Sequence, residues 1–289
     1  MLKLFTDTDC DVTPEVAAKY GYTLISMPYS IDGKTIYPYE DFKVFEPKKF
    51  YDMLRNGVLP NTSAISRERY YEIFEPCYKN GDDILYVHFS RAMTATFDAM
   101  DQAVAELHDR YPMTRFYEID AKGISLPGLM MAYEVGDRIL AGQSAEEVVR
   151  WAEKEVDKIA TYFFADDLKF FKHSGRVSGL AATMGTLLGV RPIIYMNDEG
   201  KMVSIGKERG RAKAIDRLLT YVEELGEDVK SHRVLVASAD TDDIAHEIIA
   251  RLKDTYGSDL DVLLVPVNPT AGSHCGPNAT GVCFHAKHR

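Results

Sequence analysis

Short apolar runs alternate along this chain with longer segments whose apolar residues recur at helical spacing. Leu2 to Phe5 predicts a short buried strand that runs into the acidic loop Asp7-Thr8-Asp9-Cys10-Asp11. Thr13-Pro14-Glu15 predicts a helix start, with a hydroxyl at the N-cap and proline at the first helical position, and Gly21 its end. Tyr22 to Ile31 is strand-like and turns at Asp32-Gly33, while Pro47 to Asn56 is helical. The polar loop Pro60-Asn61-Thr62-Ser63 leads into a helix from about Ser66 to Lys79.

Ile84 to Phe89 predicts a strand, followed by Ser90 to Thr96 and a helix to about Asp109. Arg115 to Ile119 is a further strand and Gly123 to Leu140 a long helix; Ser144-Ala145-Glu146-Glu147 is a capping box that opens another. This alternation predicts an N-terminal α/β domain, a parallel Rossmann-like sheet with helices on both faces. Ligands of such sheets gather beyond the carboxyl ends of the strands, where Asp7 to Asp11, Ser90 to Thr96 and Asp120 fall.

The pattern changes at the apolar run Ile159 to Ala165. Asp166-Asp167 and a helical turn carrying Leu168, Phe170 and Phe171 lead to Ser174-Gly175-Arg176-Val177-Ser178-Gly179, a segment able to turn sharply and hold an anion. A helix over Leu180 to Leu188 and a hairpin through Asn197-Asp198-Glu199-Gly200 follow. Next come an amphipathic helix from about Arg209 to Leu225 and strands at Val234 to Ala239 and Asp261 to Val267 around a helix from Asp242 to Tyr256. Pro269 to Ala279 is a final loop rich in structure breakers. A hairpin inside an α/β pattern predicts a mixed sheet, so we expect two domains, 1–158 and 159–289, with a ligand site formed by loops of both.

Composition narrows the function. A net charge of −10 without long basic runs argues against nucleic acid as a partner. No apolar stretch reaches the ~20 residues needed to span a bilayer, and the first residues do not form a secretory signal, so a cytoplasmic protein is expected. Four scattered cysteines make no disulfide scaffold. His274, Cys275, Cys283, His285 and His288 match no usual zinc spacing, and the last two histidines lie near an expected frayed terminus, so no metal is expected.

Nucleotide-binding and serine-hydrolase motifs are absent. Asp7-x-Asp9 after a strand resembles the opening of a haloacid-dehalogenase-type phosphatase, in which an aspartate, here Asp7 or Asp9, attacks with Mg²⁺ screening the phosphate; this is the alternative function. The hydroxyls Thr62, Ser63, Ser66, Thr94 and Thr96, together with Arg176, Arg209 and His274, could instead hold a carboxylate or phosphate without covalent chemistry.

Taken in order, these motifs resemble the DegV family of fatty-acid-binding proteins over nearly the whole chain. Asp7-Thr8-Asp9-Cys10-Asp11-Val12 resembles the family's D-S-x-x-D-L, Thr62 to Ser66 its T-S-Q-P-S, and Ser90 to Phe97 its S-S-x-L-S-G-T-Y. Asp166-Asp167-Leu168 through Gly175-Arg176-Val177-Ser178 resembles D-D-L-x-x-L-x-x-G-R-I-S. Arg191-Pro192-Ile193-Ile194 is similar to K-P-I-L, Lys207 to Ala214 to K-x-R-x-x-x-K-A, and Ala271 to Ala279 in part to G-x-H-T-G-P-G-A.

The resemblance implies the family's two-domain EDD fold with a lipid tunnel. It implies that Thr62 and Thr94 hold the carboxylate of a long-chain fatty acid such as palmitate or oleate, with Ser63 and Thr96 close by and His274 binding from beside the head group at the surface. Arg176 and Arg209 would face the head group and a fatty-acid kinase. That partner would supply ATP and metal to form an acyl phosphate for phospholipid metabolism. The protein is then expected to be a monomeric, non-catalytic lipid carrier without cofactor. Thr94, Ala95, Ala64-Ile65, Cys275 and Asn278 depart from the family pattern. Met93, Phe97, Leu180, Met184 and Leu188, beside the motifs, are expected to line the tunnel.

Overall fold

The structure, a computed structural model, describes residues 1–166, 168–178 and 189–289. The predicted helix over Leu180 to Leu188, with Met184, and Asp167 and Gly179 lie outside the described residues. The first sheet has four parallel strands in the order Tyr22–Ile25, Leu2–Asp7, Asp83–His88, Phe116–Asp120. The second has seven in a mixed arrangement: Val262–Pro266, Val234–Ser238, Ala279–His285, Ile159–Ala165, Val190–Met196, Met202–Arg209 and Val177–Ser178. The α/β class, the parallel first sheet and the mixed second sheet all agree with the sequence pattern.

Local chemistry explains the agreement. Thr13 Oγ1 accepts from Val16 N, Pro14 opens the helix Pro14–Tyr20, and Gly21 closes it. Ser144 and Glu147 form the expected capping box at the head of the helix Ala145–Glu155. Along Ile159–Ala165, Ala160, Tyr162 and Phe164 enter a core confined to the second half of the chain, whereas Ile159, Phe163 and Ala165 face a larger core shared with the first half. This strand is buried on both faces, which is why it reads as a continuous apolar run rather than an alternation.

Three expectations are corrected. Tyr22 to Ile31 is not one strand: Tyr29–Ile31 leaves the first sheet and pairs antiparallel with Lys34–Ile36 and with Asn61–Thr62 in a small three-stranded ribbon. The breaker-rich loop is a helix over Pro269–Cys275, capped by Asn268, whose side chain accepts from Ala271 N at 2.9 Å. Proline at its first position and glycine after its last are helix punctuation as much as loop signals. The expected frayed end is an ordered strand, Ala279–His285, inserted between Val234–Ser238 and Ile159–Ala165. Beyond it the side chain of Arg289 is buried and donates to Ala121 O at 2.9 Å and Val156 O at 2.8 Å.

The helix Leu126–Leu140 is the layer between the two large sheets. It packs on Asp83–His88 of the first and on Ile159–Ala165, Val234–Ser238 and Ala279–His285 of the second. Buried on both sides, it is apolar around most of its girth. Small residues permit the close approach: a β-carbon on Gly128 would lie 2.5 Å from Cys10 Sγ, and one on Gly136 2.4 Å from the Tyr20 ring. Among the described residues no helix is long and apolar enough to cross a membrane.

Gly128→Val therefore forces apart the acidic loop and the central helix. Overpacking of this kind costs about 1–3 kcal/mol, so the urea unfolding midpoint should fall clearly below that of the native chain. An unchanged midpoint would contradict the packing described.

Candidate functional site

The acidic loop is built into the interior. Asp7, wholly buried, accepts Asp9 N at 3.0 Å and Cys10 N at 3.2 Å on Oδ1, and Tyr86 Oη at 3.1 Å and Phe89 N at 3.3 Å on Oδ2. Asp11 adopts the left-handed conformation (φ 51°) and accepts Asn268 N at 2.8 Å and Asn268 Nδ2 at 2.7 Å on Oδ1. Its Oδ2 accepts the Ser125 hydroxyl. Asp11 thereby joins the acidic loop, the start of the central helix and the cap of Pro269–Cys275. Burial pushes the Asp7 and Asp11 carboxyls up to about 6, although these donors, and for Asp7 also His88, pull the other way.

Beyond these strand ends lies an apolar cavity of about 240 Å³, many times the ~10–15 Å³ that one water requires. Its walls come from both halves of the chain. Phe89, Met93 and Leu126 line it together with Phe163, Phe171, Met196 and Met202.

One end is polar. Thr62, carried by the small ribbon, lies with Oγ1 3.0 Å from Nε2 of His274, on the helix Pro269–Cys275. Burial, then the neighbouring Arg176 and His173, hold the His274 imidazole down to about 4, so it is neutral near pH 7. Its Nδ1 is buried without a hydrogen-bond partner among the described residues.

Thr94 also lines this end, and its Oγ1 accepts Thr96 N at 3.1 Å, which leaves its own proton to donate. Arg176 borders the cavity, exposed, with its guanidinium on the carbonyls of Met93 (3.3 Å) and Ser174 (2.5 Å). Neutral hydroxyls and a neutral imidazole with a cation at the rim suit a carboxyl head group in either protonation state.

The structure brings Thr62, Ser63, Thr94, Thr96, Arg176 and His274 together around this cavity. The Thr96 hydroxyl is committed to the fold: it accepts Ile65 N at 2.9 Å and lies 3.3 Å from Tyr70 Oη, tying the two hydroxyl loops together. Ser90, from the same motif, donates to Gly200 O at 2.7 Å and so pins the far hairpin turn. Arg209 ends the strand Met202–Arg209 on the surface and is not among the cavity's lining residues. Met93 lines the cavity as expected, but Phe97 does not; it packs against Tyr86, His88 and Phe89 in the first core.

Asp9, Thr161, Phe163 and Thr270 were not anticipated as lining. Thr161 and Phe163 stand two apart on one strand, so a two-residue period across the apolar run was the available signal.

The phosphatase alternative gains no support. Both oxygens of Asp7 are taken by donors, and no group of three or more metal-ligating side chains occurs among the described residues. Such a phosphatase also needs a later acidic pair for its metal, for which Asp166-Asp167 is the one late candidate, and Asp166 pairs with Arg191 at 2.5 Å and Arg211 at 2.9 Å. Nor do His274 and His285 meet, since His285 Nε2 lies 3.1 Å from Glu155. Burial raises the Cys275 thiol to about 12, which leaves it protonated and poorly nucleophilic.

The buried acids set a pH dependence. Between the ordinary carboxylate value near 3.8 and about 6, the folded chain retains protons on Asp7 and Asp11 that the unfolded chain has released. Stability should therefore fall as pH rises through that window. Asp11→Asn keeps an acceptor for Asn268 and a donor for Ser125, and should flatten the slope in urea titrations between pH 4 and 6.5. An equally steep slope in the variant would assign the effect elsewhere.

Comparison with known proteins agrees with this geometry. Residues 1–287 match the family model described as "Uncharacterised protein, DegV family". A DegV domain-containing protein of Clostridium perfringens is 28% identical over 97% of this chain and 96% of its own. One from Caldanaerobacter subterraneus is 27% identical over 99% of each. Among solved structures, a DegV family protein from Thermus thermophilus described by its fatty acid binding superposes with TM-score 0.86 at 23% identity, covering 99% of both chains. A DegV family protein from Eubacterium eligens loaded with heptadecanoic acid has TM-score 0.84 at 18% identity, over 99% of this chain and 100% of that one. A stearic acid-binding protein from Eubacterium ventriosum has TM-score 0.85 at 21% identity, over 98% of each.

Proposed function

Because this chain belongs to the DegV family, we propose that it binds a long-chain fatty acid and presents its carboxyl group to a fatty-acid kinase. The observation that carries the reading is the apolar cavity ending in Thr62, Thr94 and His274. In this reading, residues 1–158 and 159–289 are the two domains, and the site lies between their loops. Thr62 and Thr94 donate to the carboxylate, Ser63 lies beside them, Thr96 fixes the loops and His274 orients Thr62. Arg176 stands where a phosphoryl group or the docking kinase would meet it, and Arg209 extends the cationic surface further out.

Free-energy scales favour enclosure. Taking some fourteen methylenes out of water is worth on the order of 11 kcal/mol gross, at about 0.8 per buried CH₂. A carrier that covers the tail and leaves only the head group within reach keeps that gain while still offering the reactive oxygen. The partner supplies nucleotide and metal, and an acyl phosphate formed at the mouth is shielded from water by the closed site. The carrier itself needs no catalytic group.

The Thr62→Val, Thr94→Val double variant removes both donors and keeps their shape. Hydrogen bonds to a charged group are worth about 1.5–3 kcal/mol each, so affinity for palmitate or oleate should fall at least tenfold. Mass spectrometry of small molecules extracted from the purified native protein should find stoichiometric fatty acid, and the variant should come out largely empty. A native protein that carries none and takes up neither added acid would sink the proposal. Arg176→Glu should retain the fatty acid while abolishing its phosphorylation in the presence of a kinase partner; undiminished phosphorylation would remove Arg176 from that role.

A further inference from the structure

One polar group lines the cavity where a plain acyl chain has no use for it. Asp9 is 4% exposed and lines the cavity wall, and its Oδ1 is buried with no hydrogen-bond partner among the described residues. Its position is fixed by the backbone: Asp9 N bonds Asp7 Oδ1 at 3.0 Å, and Asp9 O accepts Ser125 N at 2.6 Å. Its side-chain neighbour is the Thr270 hydroxyl, which already donates its proton to Met27 O at 2.9 Å. Thr270 therefore turns only lone pairs towards Asp9.

Burial, followed by the neighbouring Asp7 and Asp11, raises the Asp9 carboxyl well above its ordinary value, which favours its neutral form. A neutral acid has one O–H to give, and the Thr270 oxygen can take it. That leaves the carboxyl with an acceptor oxygen in need of a donor, in a low-dielectric wall where an unmade hydrogen bond is costly. Thr161 repeats the pattern in the same cavity. It is 5% exposed and lines the same space, and its Oγ1 has no partner among the described residues apart from the weakly polar Cys283 thiol alongside it.

We propose that the cavity is built for a fatty acid bearing a hydroxyl group, which donates to the Asp9 carboxyl inside the apolar wall. The position along the chain follows from the helix Pro269–Cys275. Thr270, beside Asp9, precedes His274, at the head-group end, by four residues, or about one turn of ~5.4 Å. That distance places the hydroxyl on one of the first few carbons rather than near the methyl end. The inference rests on the fatty-acid reading and names its substrate class. It also gives Asp9 a role that a plain-chain carrier does not supply.

The test compares three probes of equal chain length, palmitate, 3-hydroxypalmitate and 16-hydroxypalmitate, titrated into delipidated protein. The native chain should bind 3-hydroxypalmitate about tenfold more tightly than palmitate, since a missing partner leaves the buried acceptor unpaired. Asp9→Val should abolish or reverse that preference by filling the wall with methyls. Asp9→Asn, which keeps a neutral acceptor, should retain it and guards against a valine variant that does not fold. Palmitate bound by the native chain as tightly as either hydroxy acid would overturn the inference and leave the fatty-acid reading intact. A preference for 16-hydroxypalmitate would overturn the placement of the hydroxyl. Failure of all three acids to bind would instead remove the fatty-acid reading itself, and this inference with it.

Discussion

The carboxylate of Asp11 is the contact on which the arrangement of the site depends. Three donors from two distant stretches converge on it: the backbone and side-chain N–H groups of Asn268 and the hydroxyl of Ser125. Asn268 caps the short helix that carries His274, and Ser125 precedes the helix between the sheets. Without Asp11 those donors would be buried and unpaired, and the groups they position would lose their common reference. The cost of burying the acid is visible in its raised pKa, yet breaking such a network costs more than forming it.

The same logic explains the division of labour among the hydroxyl residues. Thr96 and Ser90 look in sequence like Thr94 and Thr62, but their side chains are taken by Ile65 N and Gly200 O. A motif of hydroxyls therefore contains both side chains that line the cavity and side chains that fasten the fold, and only their hydrogen-bond partners separate them. His274 makes the companion point. A histidine beside glycines in a breaker-rich segment reads as a surface residue flanking a head group. The structure instead gives a buried, neutral ring on a capped helix, paired with Thr62.

Most of the fold was legible because helix caps and apolar periods are local signals. The capping box at Ser144, the proline after Thr13 and the hairpin turn at Asn197 to Gly200 each announce an element within a few residues. What escaped depends on contacts far apart in the chain. Ala279–His285 carries Gly281, which looks like a breaker; yet a β-carbon there would lie 2.6 Å from Phe163 Cβ, so the residue is small because a neighbouring strand passes close by. The helix Pro269–Cys275 is short and exists through its cap and its packing, so its own propensity gave little warning. Asp9 illustrates the same gap at the site: its loop marked it as acidic and reactive, while only the tertiary structure places it in an apolar wall.

The central helix has a further consequence, for how fast a ligand can leave. Leu126–Leu140 is clamped by both large sheets, with Gly128 against Cys10 and Gly136 against Tyr20, so those walls cannot part without unpacking the core. The yielding boundary is the polar end, made by the three-stranded ribbon bearing Thr62 and the six-residue helix Lys169–Ser174. Residence time is then governed by small elements, the ribbon and a helix anchored by the buried Phe170 and Phe171. A partner seated on that end would act as a gatekeeper, lengthening or shortening the occupancy of the cavity without touching the acyl chain.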